Sequence, residues 1–510
     1  TGTICAHNCM SKCTRNFYET PVHIREMKLK AAENGYEALL EKLPVPAVTK
    51  AGKAAVIGGG PAGMAAAYFL RKGGMEVTLF EAKESLGGVV RHVIPPFRIS
   101  EDAIEKDAEI LRKMQVDIRC NTKVESLEEL KKQGYTKIVL AVGAPVQGSL
   151  KLESGMPKNA LEFLAEFKQT DGNVSLGKYV VVIGGGNTAM DTARAAKRNV
   201  GVEHVYLVYR RTRRYMPADE EELVMALEDG VEFKELLSPV KLENGQLLCK
   251  VMQLSDYDVS GRRGVTETGE TVWVPADTVI AAVGEKVPTD WYQANGLAVS
   301  EKGRLYVDEK TLKTSDDNVY AAGDGLYGPA TVVEAIRDGR KVAEAIAGEV
   351  LARDFDKLAE EEKVYAKRGV LKEEQKETKE AGRCLGCSTI CENCVEVCPN
   401  RANIAIQVQG MEKHQIIHVD YLCNECGNCK SFCPYSSAPY LDKFTLFATE
   451  ADMENSKNQG FAVLNQETRR CKVRFFGKTF IWEPEKPADL PDGLGRMIET
   501  VCRDYSYLIR

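Results

Sequence analysis

The sequence lacks a surplus of basic residues, a long apolar run and a recognisable leader. Lysine and arginine number 68 against 74 aspartates and glutamates, giving a net charge of −6 at pH 7. That balance removes the positive field that nucleic acid or an acidic membrane surface would need, so neither is an expected partner. Apolar stretches are broken by glycine or charge well short of the roughly 18 residues of a membrane span, and no signal peptide is visible. The chain opens on Thr1-Gly2-Thr3 instead of methionine, and an upstream piece is expected to be missing. Between residues 14 and 383 there is no C-x-x-C pair, only the isolated Cys120 and Cys249, which read as ordinary buried residues. No nucleophile constellation stands out either.

What is present is cysteine, 16 residues in a 510-residue chain. Length implies several domains, and 44% hydrophobic with 28% charged residues is ordinary for soluble globular protein. Cysteines in metal-ligand spacings suit a reducing compartment, so a cytoplasmic location is expected. Cys423, Cys426, Cys429, Cys433 and Pro434 reproduce C-x2-C-x2-C-x3-C-P, the bacterial pattern in which the fourth cysteine ligates the other of two iron-sulfur clusters. Cys387, Cys391, Cys394, Cys398 and Pro399 repeat the same ending with a longer first gap. Reciprocal ligation follows: Cys387, Cys391, Cys394 and Cys433 hold one 4Fe–4S cluster, and Cys423, Cys426, Cys429 and Cys398 the other. Zinc knuckles or a disulfide cluster would use the same residue type, but neither explains a proline after both runs. Cys384 could open the first run through Cys384-x2-Cys387, and it is left without a place.

Residues 53 to 81 read as a βαβ unit. The strand Ala54–Ile57 leads into Gly58-x-Gly60-Pro61-Ala62-Gly63, a helix covers Met64–Arg71, and the strand Val77–Phe80 ends at Glu81. The glycines allow a tight turn, close backbone approach to a pyrophosphate and close helix packing, and Glu81 is placed to accept from a ribose hydroxyl. A second unit runs from Tyr179–Ile183 through Gly184-x-Gly186-Asn187-Thr188-Ala189 to Val205–Tyr209. There the acid is replaced by Arg210 and Arg211, followed by Arg213 and Arg214. Guanidinium groups at that point welcome a 2′-phosphate, so NADPH is expected; a solvated basic loop, or NADH with incidental arginines, is the alternative. Further on, Val319-Tyr-Ala-Ala-Gly323-Asp324 ends a strand, and Thr331-Val332 starts a helix. Asp324 can bond the ribityl chain of a flavin while the helix start faces its phosphates.

The order of these motifs resembles the two-dinucleotide-binding flavoproteins, α/β proteins of Rossmann-like fold in which an NADPH domain is inserted into a split FAD domain. Gly87-Gly88, the segment Ile94-Pro-Pro-Phe-Arg98, Tyr209-Arg-Arg and Met216-Pro217-Ala218 are similar to the glutamate synthase small subunit and the N-terminal half of dihydropyrimidine dehydrogenase. The resemblance implies that Gly88, Arg98 and Val124 touch FAD, that Arg210, Arg211 and Arg214 hold the 2′-phosphate, and that Ala282 to Gly284 lie near the nicotinamide. Disulfide reductases share this architecture, but the missing C-x-x-C excludes their dithiol chemistry here. Over the whole chain, including Cys384-Leu-Gly-Cys387, the modules resemble the YgfK-like family of selenate reductase iron-sulfur subunits.

The expected organisation is therefore an N-terminal iron-sulfur segment and helix (1–45), the first segment of a split FAD domain (46–165), the NAD(P)H domain (166–285), the second FAD segment (286–350), a charged helical linker (351–380), a ferredoxin-like α+β domain with two 4Fe–4S clusters (381–440) and a small C-terminal α/β docking or capping tail (441–510). Cys5, Cys9 and Cys13 are too few for a cluster of their own; upstream residues or another chain would complete the set, with His7 a conceivable ligand or merely polar surface. NADPH delivers a hydride and a cubane takes one electron, so FAD is needed between them. The implied role is that of an NADPH-oxidising subunit feeding an electron-accepting protein subunit, such as a molybdenum enzyme, or a missing N-terminal domain. A self-contained reductase of a small acceptor and a relay or assembly subunit without flavin are the competing readings.

Overall fold

The computed structural model describes residues 2–11, 13–17, 20–257, 263–351, 380, 392–411, 414–433, 437–484, 486 and 490–510. The linker at 351–380, apart from its two end residues, and Cys384, Cys387 and Cys391 lie outside the described residues. The chain forms two compact units, Thr1–Ala6 with Leu29–Arg353 and His7–Lys28 with Asp354–Arg510.

In the first unit the chain runs through β1 (Lys53–Ile57), α1 (Pro61–Lys72), β2 (Glu76–Phe80), β3 (Asp117–Arg119) and β4 (Tyr135–Leu140). It continues through β5 (Tyr179–Ile183), α2 (Asn187–Arg198), β6 (His204–Tyr209), α3 (Glu220–Glu228), β7 (Glu232–Glu235) and β8 (Thr278–Ala281), then returns through β9 (Val319–Ala321) and α4 (Val332–Ala347). β9-β4-β1-β2-β3 make one parallel sheet, and Lys158–Asn159 with β8-β5-β6-β7 make a second. Both are covered on two faces, which is why β1 and β5 read as near-continuous apolar runs: Ala54, Ala55, Val56, Val180, Val181 and Val182 are all fully buried. Parallel strands need long crossovers, and α1 and α2 supply them.

The inserted sheet is thus bracketed by two halves of the first. Residues 158–165 already belong to it: Lys158–Asn159 forms its edge, and Ala160, Phe163 and Leu164 pack in its core. Val146–Gln147 and Glu285–Lys286, the two crossings between the sheets, pair with each other as a short antiparallel ribbon. A separate three-stranded antiparallel sheet, Leu237–Glu243, Gln246–Tyr257 and Arg263–Pro275, precedes β8.

In the second unit β10 (Asn403–Ile406) and β11 (Gln415–Val419) form an antiparallel pair that continues through β12 (Thr445–Phe447), β13 (Gly460–Asn465), β14 (Arg470–Phe475) and β15 (Lys478–Trp482) as one six-stranded sheet. Ile417 and Val419 share a core with Leu446, Phe461 and Val473, and with Ile498 and Val501 of α5 (Asp492–Asp504). Residues 441–510 therefore extend the sheet that begins beside the cysteine runs. The apolar stretch Val473–Trp482 falls into two strands, because Phe476 and Gly477, at φ 45° and 74°, make the paired left-handed turn that reverses a hairpin. Among the described residues no helix is long and apolar enough to cross a membrane.

Candidate functional site

A cavity of about 1030 Å³ opens at the C-terminal ends of β1, β2, β4 and β9, where parallel sheets place their ligands. Gly58, Gly60, Pro61, Ala62, Glu81, Gly88, Val124, Asp324, Thr331 and Val332 line it. Gly58 stands at φ 105°, and a Cβ on it would fall 2.3 Å from the carbonyl oxygen of Ala141, so the turn into α1 admits no side chain. Glu81, 7% exposed, accepts from the amides of Gly59 (2.7 Å) and Lys83 (2.8 Å). It organises the glycine loop from the end of β2. Thr331 caps α4 in a reciprocal bond with Glu334, which aims the positive end of a 16-residue helix at the cavity. Burial pushes the Asp324 carboxyl up to about 6, with Glu285, Glu334 and Asp338 adding repulsion against a bond from the Ala330 amide.

Gly63 and Gly323 lie behind this lining. A Cβ on Gly63 would meet the Gly58 carbonyl at 1.8 Å, and one on Gly323 would meet Ala62 Cβ at 2.7 Å. Arg98 is elsewhere: its guanidinium donates to Asp191 on α2 at 2.8 Å and to Glu222 on α3. Lining residues that the motifs did not single out include Ala141, Gly143 and Trp291. The first two follow an apolar strand, a readable position; Trp291 arrives from a distant helix with no local signal. The cavity's glycine cradle, acid and helix N-terminus fit a dinucleotide such as FAD.

The second nucleotide fold repeats the arrangement with opposite charge. Gly184 stands at φ 155°, its missing Cβ 2.5 Å from the Ala282 carbonyl, so the loop before α2 touches the end of β8. Gly186 and Asn187 open α2, with Thr188 following, and the Asn187 side chain accepts from the Asp219 amide at 2.9 Å, tying the starts of α2 and α3 together. After β6, Arg211 donates to the Arg263 carbonyl at 2.8 Å and Arg213 pairs with Glu220 at 3.0 Å. Arg210 and Arg214 are exposed and uncommitted among the described residues. Gly284, at φ 100°, accepts from the Gly148 amide at 2.9 Å where the ribbon begins.

In the second unit Cys398, Cys423, Cys426 and Cys429 line one small cavity together with Asn403 and Tyr440. The Ala402 amide donates to Cys398 Sγ at 3.2 Å and the Glu425 amide to Cys423 Sγ at 3.3 Å, the bonds that stabilise thiolate ligands. Burial raises the Cys423 thiol, and Cys398 and Cys429 lie close enough to add to it. Among the described residues no group of His, Cys, Asp and Glu closes on a single metal ion. Four soft sulfur donors around a cavity fit a cubane cluster. Of the other expected set, Cys394 is buried and Cys433 half-buried. Cys5 belongs to the first unit, and Cys9 and Cys13 to the second. Cys249 is fully buried, with its thiol pushed up to about 12 by burial, and Cys120 is half-buried.

The family model of the pyridine nucleotide-disulphide oxidoreductases matches residues 52–339. The chain is 37% identical over 537 aligned residues to YgfK of Escherichia coli (strain K12), covering all of this chain and 51% of that one. It thus spans about half the length of that relative. It is 33% identical to the NADP(+)-dependent formate dehydrogenase subunit beta of Moorella thermoacetica, over 68% of this chain and 53% of that one. The NAD-dependent dihydropyrimidine dehydrogenase subunit PreT of Escherichia coli (strain K12) is 32% identical over 68% of this chain and 81% of its own length. Two Rossmann-like sheets, the glycine cradle and these matches converge: the chain belongs to the pyridine nucleotide-disulphide oxidoreductase family.

Proposed function

We propose that this chain takes electrons from NADPH at the inserted domain, splits them at FAD and passes them singly through 4Fe–4S clusters to a partner subunit or further domain, as in a selenate reductase-like complex. The observation that carries this reading is the cavity ringed by Cys398 and the three cysteines Cys423, Cys426 and Cys429, in a chain that also holds two dinucleotide folds. The Gly58 loop, Glu81, Val124, Asp324 and the Thr331-Val332 helix start would hold FAD, which supplies the conversion between a two-electron hydride and single electrons. Gly184, Gly186, Asn187 and Thr188 would seat the pyrophosphate of NADPH, and Arg210 and Arg214, with Arg211 beside them, its 2′-phosphate. Ala282 and Gly284 would flank the nicotinamide. Cys387, Cys391, Cys394 and Cys433 would hold the second cluster, and Cys5, Cys9 and Cys13 would contribute to a further one.

The names of two relatives, a formate dehydrogenase subunit and a dihydropyrimidine dehydrogenase subunit, support an acceptor on another polypeptide. The test is anaerobic mixing of the purified, flavin- and iron-analysed protein with NADPH. Flavin bleaching followed by the paramagnetic signal of reduced cubanes is expected. Bleaching with clusters that stay oxidised on every timescale would refute the electron path.

A further inference from the structure

Residues 88–94 line the FAD cavity, yet Phe97 and Arg98, a few residues on, leave it and enter the inserted domain. Phe97 and Val93 pack against the core of the second sheet. The guanidinium groups of Arg194 and Arg198 lie over the Phe97 ring at 5.0 and 4.3 Å from its centroid. Arg98 donates to Asp191 on α2 at 2.8 Å and to Glu222 on α3, so one side chain bridges both helices. Arg194 reaches Glu222 at 3.7 Å and Asp229 at 2.7 Å, and Arg198 reaches Asp229 at 2.8 Å. Three guanidinium groups thus balance three carboxylates, and Asp191 and Glu222 are only 8% and 7% exposed.

A buried carboxylate that loses its partner is left uncompensated, so this contact favours one placement of the helices strongly. The helices concerned are those whose starts carry the nucleotide loop, joined through Asn187 and Asp219. Among the described residues the two sheets are also tied by the short ribbon Val146–Gln147 with Glu285–Lys286, two residues on each side, and by Lys168 of the helix Ala160–Gln169, which donates to the Arg91 carbonyl and pairs with Glu101 at 3.3 Å. Hydride transfer tolerates little error, with reacting atoms about 3–3.5 Å apart.

We propose that Arg98 is a positioning residue that locks the α2–α3 pair to the loop lining the FAD cavity and so fixes the inserted nucleotide domain against the flavin site. Phe97 is its apolar anchor. This departs from the expectation that Arg98 touches FAD, and it rests on the cofactor reading proposed above.

The test compares the full flavin-loaded chain with Arg98→Met and Arg98→Lys, reading flavin content, amide hydrogen exchange and anaerobic flavin bleaching. Arg98→Met should keep its flavin and exchange α2 and α3 amides about tenfold faster. At saturating NADPH its flavin should bleach about tenfold or more slowly, with half-saturation within about threefold of wild type and unchanged reduction by dithionite. Arg98→Lys, which retains the charge, should recover most of both effects. Unchanged exchange overturns the proposal, and loss of flavin without a change in exchange reassigns Arg98 to the flavin. Should Arg98→Met fail to fold, Asp191→Asn carries the same comparison. If NADPH fails to bleach even the wild-type flavin, the cofactor reading fails, while the exchange comparison still decides the lock.

Discussion

Glu81 accepts the Gly59 amide at 2.7 Å, joining the end of β2 to the loop that leaves β1. Its other oxygen accepts the Lys83 amide at 2.8 Å. The carboxylate therefore shapes the pyrophosphate loop itself, beyond any bond to a ribose. In Glu81→Ala two amides lose their acceptor, at about 1–3 kcal/mol for each that stays buried. The flavin dissociation constant is expected to rise about tenfold or more. Glu81→Gln, with one acceptor oxygen left, should fall between. Flavin release followed by fluorescence checks this, and an alanine variant that retains flavin like wild type would sink it.

Gly58 and Gly60 should respond differently to alanine. At Gly58 the added carbon would meet a backbone carbonyl at 2.3 Å from a φ of 105°, so Gly58→Ala is expected to cost about 3 kcal/mol and lower the melting temperature. Gly60 has an extended backbone, φ −75° and ψ −178°, and the nearest atom to an added Cβ is 3.8 Å away. Gly60→Ala should therefore melt like wild type when both are stripped of flavin, yet hold flavin poorly, because the methyl group enters the cavity. Calorimetry with flavin analysis separates the two, and a Gly60→Ala protein with full flavin would show that the ligand does not approach there.

Much of this was legible in the sequence, for physical reasons. Strands buried on both faces must be apolar throughout, so β1 and β5 stand out, and the glycines that follow them are required by backbone contacts at Ala141 and Ala282. Arg98 was not legible, because the carboxylates that hold it lie 93 and 124 residues away and no local pattern marks their meeting. The reach of the second unit's sheet was hidden for the same reason. β11 pairs with β12 in parallel, a contact set by burial of Ile417, Val419 and Leu446 and not by any turn between neighbours. Spacing alone pointed Cys398 toward the later cysteine run, and it lines one cavity with Cys423, Cys426 and Cys429.

Nucleotide preference should reside in Arg210 and Arg214 more than in their neighbours. Arg211 and Arg213 already serve the Arg263 carbonyl and Glu220. Replacing Arg210 and Arg214 together by glutamine is expected to weaken NADPH binding by about tenfold to a hundredfold, from the loss of charge-assisted bonds. NADH binding should change little. Titration with both nucleotides checks the difference, and equal losses would refute a phosphate clamp.

Cys398 provides a direct test of crossed ligation. It lies in the first cysteine run, yet it lines the cavity of Cys423, Cys426 and Cys429. Cys398→Ser and Cys429→Ser should therefore remove or convert the same cluster, with identical changes in iron content and in the paramagnetic spectrum of the reduced protein. Flavin bleaching by NADPH should survive in both. Different residual spectra in the two variants would break the pairing.

Acid should weaken the second unit through His418. The ring is 2% exposed, its Nδ1 lies 3.0 Å from the Asn403 side-chain oxygen, and burial pushes its pKa down to about 4 from 6.5. The folded imidazole thus stays neutral where the unfolded chain would already bind a proton. Its contribution to stability is whole above pH 6.5 and is lost as pH falls from there toward 4, by up to about 3 kcal/mol across the window. His418→Gln removes the titrating group, so the difference in urea midpoint between variant and wild type should narrow or invert as pH drops. Thiol protonation acts on both proteins alike and cancels in that difference. A difference that stays constant between pH 7 and pH 4.5 would mean that the buried ring takes its proton as readily folded as unfolded.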